Sequence, residues 1–167
     1  PILQRLTNPL TSPLQKVTHT APRVLVLVPT RELAAQVLES VRVYGAHTGL
    51  RSLAVFGGVG INPQIQTMRR GIDILVATPG RLLDHLGQRT VDLSKVQTLV
   101  LDEADRMFDM GFIRDIRRII ERLPKERQNL MFSATFAAEV RELAHTVLRN
   151  PAMVEVARRN APAELVS

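Results

Sequence analysis

Leu99-Val100-Leu101-Asp102-Glu103-Ala104-Asp105 decides how the rest of the chain reads. Three apolar residues run directly into three carboxylates within four positions. An apolar run entered from Val96 and closed by acids predicts a buried strand that ends at a sheet rim. Carboxylates at the carboxyl end of a parallel strand lie in the crevice where open α/β sheets bind ligands. One such acid can hold a divalent cation while its neighbour orients or deprotonates an attacking water. The plainer alternative is that the acids cap the next helix, because negative charge is stabilising at a helix N-terminus. These seven residues do not separate the two readings; the surrounding chain has to.

Moving outward, the same pattern of apolar strand, small or hydroxylic turn and amphipathic helix repeats. Val24-Leu25-Val26-Leu27-Val28 is a continuous apolar strand within residues 23–28, closed by Pro29-Thr30. Residues 31–44 carry Leu33, Val37, Leu38, Val41 and Tyr44 at helical spacing, and 45–49 form a turn. Residues 53–56 predict a short strand running into Gly57-Gly58-Val59-Gly60. A helix over 63–70 turns Ile65 and Met68 inward. Residues 72–77 are another apolar strand, ended by Thr78-Pro79-Gly80, and 81–86 form a helical turn or two. Downstream, 112–123 predict an amphipathic helix with Ile113, Ile116, Ile119, Ile120 and Leu123 inside and Arg114, Arg117, Arg118 and Arg122 in solvent. A strand over 129–132 leads into Ser133-Ala134-Thr135, then a helix over 139–148 and a last strand over 153–156. Residues 1–6 read as the tail of a helix, 7–22 as an exposed loop and 158–167 as a linker or tail. Strands that alternate with helices and are apolar throughout predict a parallel sheet covered on both faces.

Composition narrows the function classes. The 167 residues suit one domain with a real core, and 45% hydrophobic content fits a globular chain. No apolar run approaches membrane-spanning length, and the first residues are not a signal peptide. Without cysteine, disulfides and thiolate metal sites are excluded. The expected compartment is the cytoplasm. The four histidines (His19, His47, His85, His145) are scattered and read as no metal site. Net charge is +6, and all basic side chains except Lys16, Lys95 and Lys125 are arginines. Arginine favours forked contacts to phosphate, so a polyanion such as nucleic acid is the expected partner. Aromatic residues are only 4%, which points to backbone contact rather than base stacking. Met107, Phe108, Met110 and Phe112 are expected in the core.

Five strand ends then fall on one predicted rim: Pro29-Thr30-Arg31-Glu32, Gly57-Gly58, Thr78-Pro79-Gly80-Arg81, Asp102 to Asp105, and Ser133-Ala134-Thr135. Hydroxyls, glycine turns and free backbone N–H groups at helix starts all suit phosphate. Each alone is ordinary: Thr30 could serve only as a helix cap, and Gly57-Gly58 only as a turn. Together, in this order and spacing, they resemble the first RecA-like domain of a DEAD-box RNA helicase. The family's motif Ia is matched by Pro29-Thr30-Arg31-Glu32-Leu33, its glycine doublet by Gly57-Gly58 and motif Ib by Thr78-Pro79-Gly80-Arg81. Motif II is matched by Asp102-Glu103-Ala104-Asp105 and motif III by Ser133-Ala134-Thr135. Residues 102–112, 128–136 and 156–160 resemble the bacterial RhlE group in particular.

The resemblance implies roles. It gives Asp102 to magnesium, through water, and Glu103 to the attacking water, so that ATP and magnesium are the implied cofactors. Asp102, Glu103, Asp105, Ser133 and Thr135 are the implied catalytic set, with Asp105 expected to bond Ser133 and Thr135 and so join motifs II and III. Pro29, Thr30, Arg31, Gly57, Gly58, Thr78, Pro79, Gly80 and Arg81 are the implied contacts to the sugar–phosphate backbone of single-stranded or short duplex RNA. That binding would ignore sequence and weaken with salt.

One departure is large. The family's phosphate loop ends in Gly-Lys-Thr or Gly-Lys-Ser, and no Gly-Lys dipeptide exists in these 167 residues. The Gln motif that reads adenine is not matched either. The expectation is therefore a partial RecA-like α/β domain over 1–157, a parallel sheet flanked by helices that lacks its first strand and phosphate loop. The second RecA-like domain, with its arginine finger, is also expected to be missing. The lost strand belongs beside the motif III strand, and its loss would leave an apolar edge open to homodimerisation. Two functions stand against each other: an ATP-driven RNA helicase whose isolated fragment is inactive or nearly so, and a non-catalytic basic module that binds RNA or protein. The acid set and Ser-Ala-Thr favour the first for the parent. The absent lysine loop favours the second for the fragment.

Overall fold

A computed structural model describes Ile2 and residues 21–148. The readings made for the rest of 1–20, and for the last strand and tail beyond 148, lie outside the described residues, as does the domain boundary at 157.

Five parallel strands form one sheet: β1 (Val24–Leu27), β2 (Ser52–Val55), β3 (Ile74–Ala77), β4 (Thr98–Leu101) and β5 (Gln128–Met131). Their order across the sheet is β2-β3-β1-β4-β5. The helices are α1 (Arg31–Tyr44), α2 (Asn62–Arg69), α3 (Pro79–Gly87), α4 (Ala104–Asp109), α5 (Ile113–Ile120) and α6 (Ala138–Val147). The expected α/β architecture is the observed one.

The two-residue period of the strands sorts the core into two layers. Leu25, Leu27, Leu75, Ala77, Leu99 and Leu101 face one side, where they meet Leu82 of α3, Met107 of α4, Ile116 and Ile119 of α5 and Leu143 of α6. Val24, Val26, Val28, Ile74, Val76 and Val100 face the other, against Ala34, Leu33, Val37 and Val41 on and around α1. Complete burial of each leucine on this scale contributes about 1.5–3 kcal/mol. The wholly apolar β1 and β3 thus follow from having helices on both faces.

β5 differs from the other four strands. Gln128 is exposed, and Asn129, Leu130 and Met131 are half-buried. Among the described residues it is the outer strand on the side of Ser133-Ala134-Thr135, and β2 is the outer strand on the other.

Three local readings change. Residues 104–109 form a short helix that hydrophobic spacing had not distinguished from the acids before it. Gly111, at φ +81°, ends it, with the Gly111 N–H bonding Phe108 O at 3.0 Å and the Phe112 N–H bonding Met107 O at 3.0 Å. That is a Schellman cap, which glycine adopts without strain. α5 stops at Ile120, short of the expected Leu123, because Pro124 disfavours helical backbone just before it. Leu123 is nevertheless buried. Met110 is 47% exposed and does not belong to the core, whereas Met107 is fully buried.

Candidate functional site

Parallel pairing places every strand's carboxyl end on one rim. In register, Leu27 lies beside Ala77 on one side and Leu101 on the other. Val55 lies beside Ala77, and Leu101 beside Met131. The residues that follow these positions are Val28-Pro29-Thr30, Phe56-Gly57-Gly58, Thr78-Pro79-Gly80, Asp102-Glu103 and Phe132-Ser133. The five segments singled out in the sequence are therefore brought to the same end of the sheet.

The acids sit at the centre of that end. The Asp102 N–H bonds Leu27 O at 3.0 Å, which continues the β1–β4 ladder one residue further. The Asp102 carboxylate is half-buried, and its Oδ1 accepts the Glu103 N–H at 3.0 Å. Burial pushes the Asp102 carboxyl above the ordinary carboxylate range; the Glu103 N–H opposes this and the Glu103 charge adds to it. A half-buried carboxylate whose Oδ1 is taken by the Glu103 N–H, and whose Oδ2 takes no hydrogen bond among the described residues, is suited to a cation. No group of three or more His, Asp or Glu converges among the described residues, so a protein cage for a metal is not on offer there. One carboxylate does fit magnesium, which keeps several waters and takes one or two carboxylates together with substrate phosphates.

Glu103 has φ 52° and ψ 53°, the left-handed region, although it is not glycine. Such a residue carries on the order of 1–3 kcal/mol of strain and occurs most often at functional sites. The conformation makes the sharp turn from β4 into α4. Glu103 Oε2 lies 3.5 Å from Arg106 Nη1, one helical turn on, and both side chains are largely in solvent. The acids do border a helix start, as the plainer alternative held, but Glu103 makes no side-chain cap there.

Asp105 joins this turn to β5, in a form that differs from expectation. Ser133 Oγ accepts the backbone N–H of Asp105 at 3.2 Å and donates to Thr135 O at 2.7 Å. Only Thr135 reaches the acid itself, its hydroxyl donating to Asp105 Oδ2 at 3.4 Å. The Asp105 N–H lies in the first turn of α4 and lacks a partner within the helix, so Ser133 caps it from the neighbouring strand end. The Ala104 N–H bonds Phe132 O at 3.0 Å and strengthens the same link.

The hydroxyl and glycine segments surround the acids. Thr30 is the N-cap of α1, and its Oγ1 accepts the Leu33 N–H at 3.2 Å. That leaves the hydroxyl hydrogen free to donate. Removal of this cap in Thr30→Ala is expected to destabilise the protein by about 1 kcal/mol. A lower urea midpoint at constant slope would show it; an unchanged midpoint would count against the cap. Gly58 has φ +81°, and a Cβ there would lie 3.3 Å from Arg31 Nη1. The glycine doublet and Arg31 thus form one surface, which a side chain at Gly58 would disturb. Thr78 precedes α3 without capping it, and Pro79 occupies the first turn. Pro79 has no N–H, so the free donors at this helix start are those of Gly80 and Arg81. Arg81 itself turns inward: Nη2 donates to Val59 O at 2.9 Å and Nη1 to Gln64 Oε1 at 3.2 Å, and its side chain is 12% exposed.

Sequence reasoning missed Gln64, His85 and Thr90. Gln64 Nε2 donates to Phe56 O at 3.0 Å, and its Oε1 also meets His85 Nε2 at 3.1 Å. His85 Nδ1 lies 2.7 Å from Thr90 Oγ1. The one available signal was a glutamine on the inward side of α2, directly before Ile65 and one turn before Met68, the buried apolar residues of that helix. His47 and His145 are exposed.

The DEAD/DEAH box helicase family profile matches residues 1–143. The chain belongs to the DEAD/DEAH box helicase family. It is 46% identical over 138 residues to ATP-dependent RNA helicase RhlB of Shewanella piezotolerans, covering 81% of this chain and 32% of the relative. It is 47% identical over 143 residues to DEAD-box ATP-dependent RNA helicase 40 of Oryza sativa subsp. japonica, covering 86% of this chain and 18% of that protein. The bacterial relative bears the name RhlB rather than RhlE. A crystal structure of the yeast DEAD-box splicing factor Prp28 superposes with a TM-score of 0.71 at 33% identity, covering 77% of this chain and 31% of the other. The chain thus spans about a third of the length of its RhlB relative. Within this DEAD-box domain no described helix is long and apolar enough to cross a membrane.

Proposed function

We propose that this chain is the part of an ATP-dependent RNA helicase in which the hydrolytic acids and one half of an RNA backbone cleft share a sheet rim. The carrying observation is the register that levels Asp102 with the ends of β1, β3 and β5. In the whole protein, Asp102 would hold magnesium through water. ATP, when bound with that ion, supplies the phosphoryl group that is transferred to water. Glu103 then orients the attacking water and takes its proton, one residue from the ion's ligand.

On the flank of the rim, the Thr30 and Thr78 hydroxyls and the N–H groups of Gly80 and Arg81 face where a sugar–phosphate chain would run. Arg31 supplies the charge beside Gly58. These contacts grip phosphate and read no base, so binding is insensitive to sequence. Asp105, Ser133 and Thr135 connect the two functions, since a shift of the Asp102–Glu103 turn pulls on the end of β5. The second RecA-like domain of the whole protein would complete both the nucleotide site and the cleft. A cytoplasmic setting accords with a chain that carries no cysteine.

For the 167 residues alone, the binding-module reading is favoured by one specific observation. No Gly-Lys dipeptide is available to cradle the triphosphate and neutralise it. The test is steady-state ATP turnover with magnesium, with and without single-stranded RNA. The whole protein is expected to be RNA-stimulated and to separate short duplexes, and the 167-residue chain to stay near background. A whole protein indifferent to RNA would overturn the helicase reading. Turnover by the short chain matching the whole protein would overturn the binding-module reading.

A further inference from the structure

Gln64, His85 and Thr98 are the buried polar side chains among the described residues, and two of the three meet at one point. A buried polar group is costly unless satisfied, so its partners show what it holds in place. Gln64 Nε2 donates to Phe56 O at 3.0 Å, the residue before the glycine doublet. Gln64 Oε1 accepts from Arg81 Nη1 at 3.2 Å and from His85 Nε2 at 3.1 Å. Because that oxygen can only accept, the His85 proton resides on Nε2. Nδ1 is then an acceptor facing the Thr90 hydroxyl at 2.7 Å, which His85 O, at 3.1 Å, shares as a second acceptor. Burial and the Arg81 charge both push the His85 imidazole below its ordinary pKa, which favours this neutral form. The Arg81 fork closes the network by donating through Nη2 to Val59 O at 2.9 Å.

Two bonds of this cluster end on the loop that carries Gly57 and Gly58, and His85 stands behind them through Gln64. Phe56 O and Val59 O bracket the doublet, and both are tied down from below. With Arg81 Nη1 and Nη2 each committed inward and the side chain 12% exposed, its guanidinium does not present itself to an external phosphate. We propose that Arg81 is a brace rather than a phosphate ligand, and that Gln64 and His85 are positioning residues which, with it, hold the 57–60 loop in the shape that grips RNA. The inference rests on the RNA-binding reading of the rim.

The test measures affinity of the whole protein for a labelled single-stranded RNA homopolymer across a salt series. Lysine keeps the charge of Arg81 but not its fork. Arg81→Lys is therefore expected to weaken binding roughly tenfold, because the loop loses its tie at Val59 O, with the salt slope unchanged. Gln64→Met, which is similar in volume, is expected to weaken binding to the same extent. The double variant is expected to be no weaker than either single one, since both cut the same brace. Thermal melting checks that each variant is folded. Should Gln64→Met not fold, Arg81→Lys against Arg81→Ala decides. Equal loss in the two supports the brace. Near-normal binding by the lysine variant, with a slope lowered by about one in the alanine variant, marks a phosphate contact and overturns it. Additive effects of Arg81→Lys and Gln64→Met overturn it as well. If Thr30→Ala, Gly58→Ala and Thr78→Ala also leave RNA affinity untouched, the RNA reading itself falls. The brace can therefore fail while that reading stands.

Discussion

Glu103→Gln in the whole protein is expected to lower RNA-stimulated ATP turnover by roughly 10²–10⁴-fold, the usual loss when a general base is removed. Glutamine has the same shape, keeps the backbone turn at φ 52° and can still touch a water, but it cannot accept a proton from it. RNA affinity without nucleotide is expected to stay within about twofold of the parent, because glutamine leaves the hydroxyl and glycine segments in place. The pairing of Glu103 with Arg106 at 3.5 Å is solvent-exposed and contributes little, so folding is not at issue. Single-turnover hydrolysis beside equilibrium RNA binding separates the two effects. Turnover within a few-fold of the parent would remove Glu103 from the chemistry and leave Asp102 to be explained by the turn alone.

Asp102→Asn is expected to act in opposite directions on activity and stability. Asparagine can accept the Glu103 N–H as Asp102 Oδ1 does, so the turn survives. It cannot bring an anion to magnesium, and ATP turnover is expected to fall to background at any practical magnesium concentration. Stability moves the other way. The folded-state pKa of Asp102 lies above its unfolded value of 3.8, chiefly through burial. Between those two values the folded protein binds more protons than the unfolded one, so stability falls as pH rises through this window. The penalty is fully present above the raised value, and it is absent below 3.8. Asparagine is never ionised and escapes it. In metal-free buffer the variant is therefore expected to melt above the parent at neutral pH, the gap closing as the solution is acidified. Equal melting curves at neutral pH would show that the carboxylate is satisfied by groups within the protein and is not held ready for a cation.

Most of the fold was legible because its signals are local. A strand buried on both faces must be apolar throughout, and residues 24–28, 74–77 and 98–101 differ from that only at Thr98, which is buried at the strand's first position. The amphipathic stripes of α1 and α5 likewise declare which side meets the sheet. The rim followed from the parallel order, since every strand then ends at the same side. What stayed hidden depends on partners distant in sequence. Ser133 gives no local sign that its hydroxyl will accept the backbone N–H of Asp105, 28 residues away. Arg81 carries the same letters whether it faces solvent or turns toward Val59, and the difference lies in Gln64, 17 residues earlier on another helix. The short helix after the acids escaped because six residues hold too few turns for periodicity to show.

The central place of β1 also sets a timetable. Its neighbours β3 and β4 both come later in the chain, and Arg23 stands 50 residues ahead of its ion-pair partner Asp73. At ribosomal speeds of about 5–20 residues per second, the Val24-Leu25-Val26-Leu27-Val28 run waits some 3–10 seconds with neither side of its backbone matched. It is wholly apolar and carries no charge, so during that interval it is the segment most in need of shelter from other nascent chains.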